Sequence, residues 1–171
     1  MPAARTRRAP RAVTLLAGVL AAPGVLAGCS AGPVQVEGAL LLDDLPAEQR
    51  AACAALLEDL PDEVGGEEER DVAPEGVAAR AWGTPATVVV CGAELPASFT
   101  DTSDCEVVGE VGWYAEPATY QDQTVDVVVT TIGQEPTVQL RLPAERRPPV
   151  EEEIDVAPAI LAHTELVDPC F

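Results

Sequence analysis

The chain has 171 residues, with 29 acidic side chains against 10 basic ones and a formal net charge of −19. Charge of that sign and size repels phosphate backbones, which excludes nucleic acid as a partner and favours solubility or a cationic partner. The length suits one compact domain with its own core and is short for two.

The N-terminus reads as an address. Arg5, Arg7, Arg8 and Arg11 precede an apolar run over 12–26 that is too short, and too broken by Pro23-Gly24, to cross a membrane well. It closes in Leu26-Ala27-Gly28-Cys29. Residues 1–28 are therefore expected to be a lipoprotein signal peptide. Leu26, Ala27 and Gly28 fit the peptidase groove, and Cys29 supplies a thiol that carries a diacylglyceryl thioether and becomes the new N-terminus. Two acyl chains make a stable anchor, which places the protein at the outer face of the cytoplasmic membrane. Every acidic residue lies beyond Cys29, so cleavage makes the protein more acidic still. Lysine is absent, and with abundant Ala, Val, Gly, Pro and Arg this has the look of a GC-rich genome, so part of the imbalance is compositional drift.

Lipidating Cys29 leaves Cys53, Cys91, Cys105 and Cys170, an even set in an oxidising compartment, and two disulfides are expected. No Cys-x-x-Cys spacing occurs, which argues against zinc ribbons and thioredoxin-like chemistry. Four cysteines allow three pairings, and the sequence does not choose among them. The working hypothesis joins Cys53 to Cys91, tying a helix to a central strand, and Cys105 to Cys170, tying the C-terminal tail to the sheet.

Residues 29–44 are expected to form a lipidated tether whose apolar end, 39–42, packs on or leads into a single domain over 45–171. Asp43-Asp44 and Pro46 mark a helix start, and Cys53, Leu56, Leu57 and Leu60 recur at helical spacing until Pro61. The acidic stretch 62–71, with Gly65-Gly66, reads as a solvated loop. Residues 86–91 form a β-branched run that suits a central strand. Residues 107–114 alternate as one strand with Trp113 facing the core. Residues 125–132 lead through Gly133-Gln134-Glu135-Pro136 into 137–142, the clearest hairpin in the chain. Pro158 then sits where the first turn of a C-terminal helix would accept it, with Ile160, Leu161 and Leu166 on its apolar side. The fold class is thus α+β: a mainly antiparallel sheet of about four to five strands, with an N-terminal and a C-terminal helix packed on it and two disulfides as staples.

The assembled motifs resemble an actinobacterial family of envelope lipoproteins known as domain of unknown function 3515. The resemblance rests on Cys53-Ala-Ala-Leu56 before Leu60-Pro61, Ala81-Trp82-Gly83-Thr84-Pro85, Val90-Cys91-Gly92, Val108-Gly109-Glu110-Val111-Gly112-Trp113, Thr130-Thr131-Ile132-Gly133 and Ile154-Asp155-Val156. It implies a lipoprotein, a single domain and a Cys53–Cys91 bond, and it adds no catalytic residue. Where the family pattern carries arginine before Cys-Gly and after Thr-Thr-x-Gly, this chain has Val90 and Gln134.

Chemistry is sparse. His163 is the single histidine, and Ser98 and Ser103 are the only serines beyond the tether, so a hydrolase would have to be built on His163 without a nucleophile elbow. Asp101, Asp104 and Glu106 flank Cys105 and offer oxygens to a cation, but EF-hand spacing is missing, and no metal site is assigned. No phosphate-binding loop or dinucleotide fingerprint occurs, so no nucleotide and no cofactor is expected. Trp82, Trp113, Tyr114 and Tyr120 are candidate binding aromatics, set against their service as core, which a domain this poor in phenylalanine needs. The expected function is a non-enzymatic, lipid-anchored envelope protein that binds or scaffolds an envelope partner. The alternatives are a small-ligand or cation-binding module and, last, an envelope hydrolase.

Overall fold

Eight antiparallel strands make one sheet, and two helices lie across one of its faces in the computed structural model, which describes residues 32–170. Leu26, Ala27, Gly28 and Cys29, with the signal peptide they close, lie outside the described residues. In chain order, β1 (Val34–Gln35) leads through a 3-10 turn (Leu42–Asp44) to α1 (Ala47–Asp59). Next come β2 (Glu63–Val64), β3 (Glu67–Arg70), β4 (Val72–Ala73), β5 (Ala79–Trp82) and β6 (Thr87–Cys91). Then follow β7 (Glu106–Val108), β8 (Val111–Ala115), α2 (Pro117–Gln121), β9 (Val127–Thr131), β10 (Gln134–Glu135) and β11 (Val138–Leu142). A 3-10 turn (Ala144–Arg146), α3 (Val150–His163) and β12 (Glu165–Leu166) complete the chain. The large sheet has the order β2-β3-β5-β6-β11-β9-β8-β7, while β1 pairs with β4 and β10 with β12.

Alternation along the strands divides the core. Val89 and Cys91, Val138, Leu140 and Leu142, Val127 and Val129, and Val111 and Trp113 meet Cys53, Leu56 and Leu57 of α1 and Val156, Ala157 and Ile160 of α3. The intervening residues face the other way. There Ala79, Ala81, Val88 and Val90 are covered by Val34, Val36 and Ala39 of the N-terminal segment. Residues from Val34 onward are thus hydrogen-bonded to the domain, with Val34 and Gln35 in register with Val72 and Ala73.

Cys53 on α1 bonds Cys91 at the end of β6, with Cα atoms 5.5 Å apart, and Cys105 bonds Cys170 across 6.2 Å. The α+β class holds, but the sheet has eight strands where four to five were expected. Two hairpins account for much of the difference. The acidic stretch read as a loop is the β2–β3 hairpin, turned by Gly65 and Gly66 at φ of 57° and 70°. Both central residues of a tight primed turn need that left-handed backbone, which glycine adopts freely, and an edge hairpin facing water tolerates its glutamates. The single strand expected over 107–114 is instead β7 and β8, reversed at Gly109-Glu110 with φ of 60° and 66°.

The C-terminal helix begins at Val150, well before Pro158. Pro158 and Ile154 both lie on the exposed side, so the hydrogen bond that proline cannot make is lost where water satisfies the Ile154 carbonyl. The earlier start places Glu152 and Glu153 on the same buried face as Val156, Ala157 and Ile160. No described helix is long and apolar enough to cross a membrane.

Candidate functional site

β7 is one edge of the sheet, and the register of the β7–β8 ladder sets Glu106 opposite Trp113, on the face that looks toward α3. From there a groove runs in two parts. The outer part, about 600 Å³, is bordered by Ser98, Asp104, Tyr114, Pro117 and Tyr120. The inner part, about 240 Å³, is walled by Trp113, Val127, Val129, Pro148 and Val150, with Glu153 and Arg147 among its polar groups. Glu106, Ala115 and Tyr120 border both. Apolar walls with a few convergent polar groups are the usual composition of a ligand pocket.

Glu153 is the unusual member. It is only 3% exposed, and among the described residues no side chain or backbone amide hydrogen-bonds to its carboxyl. Burial, then the nearby charges of Glu106 and Glu152, push its pKa from 4.5 up to about 7. Its place in the first turn of α3 acts in the opposite sense, since helix N-terminal amides favour an anion by about 0.3–1 kcal/mol. Burial prevails because removing a carboxylate from water costs more than that partial charge returns. The neighbouring Glu152 carboxyl is also raised, mainly by burial. The Tyr120 hydroxyl is raised by burial and by Glu106 and Glu153, against the opposing pull of Arg147.

Arg147 braces the wall of the inner pocket. Its Nη1 donates to the Val125 carbonyl at 3.0 Å and its Nη2 to the Thr119 carbonyl at 2.8 Å, tying α2 and the segment after it to the entrance of α3. Its Nε is buried without a partner among the described residues.

The aromatics singled out in the sequence do not share one site. Trp82 is buried in the core, its indole donating to the Pro61 carbonyl at 3.1 Å, so it is corrected from binding candidate to core residue. Trp113 is 2% exposed and bonds the Val108 carbonyl at 3.3 Å, showing only an edge to the inner pocket. Tyr114 points to the opposite face, where its hydroxyl donates to Ser98 at 3.1 Å and Phe99 packs edge-on against its ring. It borders the outer groove from behind. The strand pleat is the reason: adjacent residues 113 and 114 must face opposite sides. Asp104 and Glu106 reach the groove, while Asp101 does not border it. Among the described residues no group of three or more His, Cys, Asp or Glu is placed to hold a metal ion. His163 Nε2 lies 3.1 Å from Asp59 Oδ2, joining the C-terminal ends of α3 and α1 outside this groove.

Tyr120, one of the candidate aromatics of the sequence, borders both parts of the groove, whereas Glu153 and Arg147 were not singled out from the sequence. The available signal was Glu152-Glu153 three and four residues ahead of Val156 and Ala157, which sets both carboxylates on a buried helix face once the helix is known to begin before Pro158.

Fold and groove together define a two-layer α+β domain, stapled by two disulfides, with an acidic pocket at one edge of its sheet. A family model described as a protein of unknown function, DUF3515, matches residues 9–166, and the chain belongs to that family. No curated protein and no solved structure matches the chain.

Proposed function

We propose that this protein is a lipid-anchored, extracytoplasmic binding module that uses the groove beside β7 to hold a small ligand, without chemistry of its own. The observation that carries the binding reading is Glu153, a residue 3% exposed whose carboxyl has no protein partner among the described residues and reaches a pocket that opens to the surface past Tyr120. A carboxyl perturbed by desolvation and by a neighbouring charge at the wall of a cleft is the physical mark of a candidate binding group. The address rests on Leu26-Ala27-Gly28-Cys29 and is supported by two disulfides, which persist in oxidising compartments. His163, the residue a hydrolase would need, pairs with Asp59 and does not border the groove.

Two measurements test the proposal. Detergent partitioning of the protein expressed in a lipoprotein-processing host should place it in the detergent phase, and Cys29→Ala should move it to the aqueous phase. A thermal-shift screen against amines, sugars, wall peptides and calcium should find a ligand that raises the melting temperature, because ligand at about 100 times its Kd stabilises by about 2.7 kcal/mol. Tyr120→Ala should abolish that rise. A screen in which no class raises it, or in which Tyr120→Ala leaves it intact, refutes the groove as the binding surface.

A further inference from the structure

We propose that the inner pocket beside β7 binds the protonated amino group of an organic cation, held between the carboxyls of Glu106 and Glu153 with its hydrocarbon against Trp113 and Val129. The inference rests on reading this groove as the binding surface and names the class of ligand it takes.

Glu153 is more than nine-tenths buried, borders the pocket, and accepts no hydrogen bond from any described residue. An ammonium group supplies what is missing, since it carries three donors and a positive charge. Glu106 approaches the same space from the facing strand, and its charge raises the cost of ionising Glu153 until a cation lies between them. Apart from Gln123 and Arg147, the other walls are hydrocarbon and aromatic. They suit an alkyl or aryl body. A hard metal ion is poorly served there, because it takes six or more oxygens and the pocket offers two carboxyls.

The charged and titratable groups around Glu153 are Glu106 from β7, Tyr120 from α2, Arg147 from the segment ahead of α3, and Glu152 on α3 itself. Arg147 does not neutralise Glu153. Its Nη atoms are committed to the Val125 and Thr119 carbonyls, and it makes no ion pair with the carboxyl. The ammonium requires Glu153 ionised, so binding strengthens as pH rises through about 7. Between about pH 6 and about pH 8 the affinity for a simple alkylammonium should rise about tenfold.

The experiment titrates the full chain with n-butylamine hydrochloride, n-butanol and sodium butyrate, reading the indole NMR resonance of Trp113 against that of Trp82. Butylammonium should give a saturable shift confined to Trp113, and butanol and butyrate should not. Glu153→Gln and Glu106→Gln should each weaken butylammonium about tenfold or more, the loss expected when a charged hydrogen-bond partner is removed. The pH dependence should vanish in Glu153→Gln. That variant also reports on its own folding, because it should melt above the parent at alkaline pH. Butanol binding as tightly as butylammonium overturns the ammonium assignment while keeping the groove as a binding surface. Butylammonium binding unchanged in Glu153→Gln overturns it in the same way. No saturable shift from any of the three probes overturns both readings.

Discussion

Removing the charge of Glu153 should stabilise the empty protein, and by an amount that depends on pH in a defined direction. In the unfolded chain this carboxyl ionises near 4.5, and in the fold it ionises at about 7. An acid whose folded value is raised contributes its full stability below the unfolded value and loses it as pH rises through the folded one. The loss therefore falls between 4.5 and about 7 and is complete just above that window. One pH unit of difference corresponds to about 1.4 kcal/mol, so ionising Glu153 costs the fold about 3 kcal/mol. Glu153→Gln keeps the shape and removes the charge. Whatever the amide itself costs is constant with pH, so the gap in stability between variant and parent should widen by about 3 kcal/mol between about pH 4 and about pH 8. For a domain of this size that is about 10 °C of melting temperature. Urea unfolding followed by tryptophan fluorescence reads it directly, since Trp82 and Trp113 are both buried. A gap that stays constant across that range would refute the claim that burial raises the ionisation of Glu153 to about 7, and it would remove the main physical support for the pocket.

Three further outcomes follow from the packing. Replacing both Cys53 and Cys91 by alanine reopens a loop of 38 residues and should cost about 4 kcal/mol by chain entropy, seen as a lower urea midpoint for the double variant. Arg80→Met should cost about 2 kcal/mol in thermal unfolding. Arg80 Nη1 donates to the carbonyls of Leu57 and Leu60 at 3.0 and 2.6 Å, closing the C-terminal end of α1, while Nη2 reaches Glu69 at 2.6 Å. Trp82→Phe should cost about 1–3 kcal/mol because it strands the Pro61 carbonyl, and since Arg80 lies over the Trp82 ring its effect should not add simply to that of Arg80→Met in a double-mutant cycle.

Some elements were plain in the sequence because a short-range period encodes them. The apolar spacing of Cys53, Leu56 and Leu57 is that of a helix face, and α1 buries those three residues. Val138, Leu140 and Leu142 alternate with Gln139 and Arg141, and β11 is buried and half-buried in the same rhythm beside β9. Other elements were hidden because their local signals point the wrong way. Glu67, Glu68 and Glu69 carry the charge of a loop, yet the Gly65-Gly66 turn and the partner strand β5 hold them as β3. Three glutamates and a proline obscure α3, whose buried face becomes visible only when Pro158 is seen to sit on its solvent side. The candidate site was the least legible part. Glu106, Trp113, Tyr120, Arg147 and Glu153 come from five separate elements, and no spacing in the sequence relates them.

What the sequence determined alone is whatever depends on composition and near neighbours: an acidic chain, an α+β alternation, a set of paired cysteines beyond Cys29, and membership of its family through motifs strung along most of its length. The tertiary structure decided where charge lies out of water. Glu153 is one of three consecutive glutamates, Glu151 to Glu153, and differs from Glu151 only because helix α3 turns it toward Trp113 and Glu106 while Glu151 faces solvent. Burial and the field of distant residues are sums over the folded chain, so the property that marks the pocket does not exist until the fold brings those elements together.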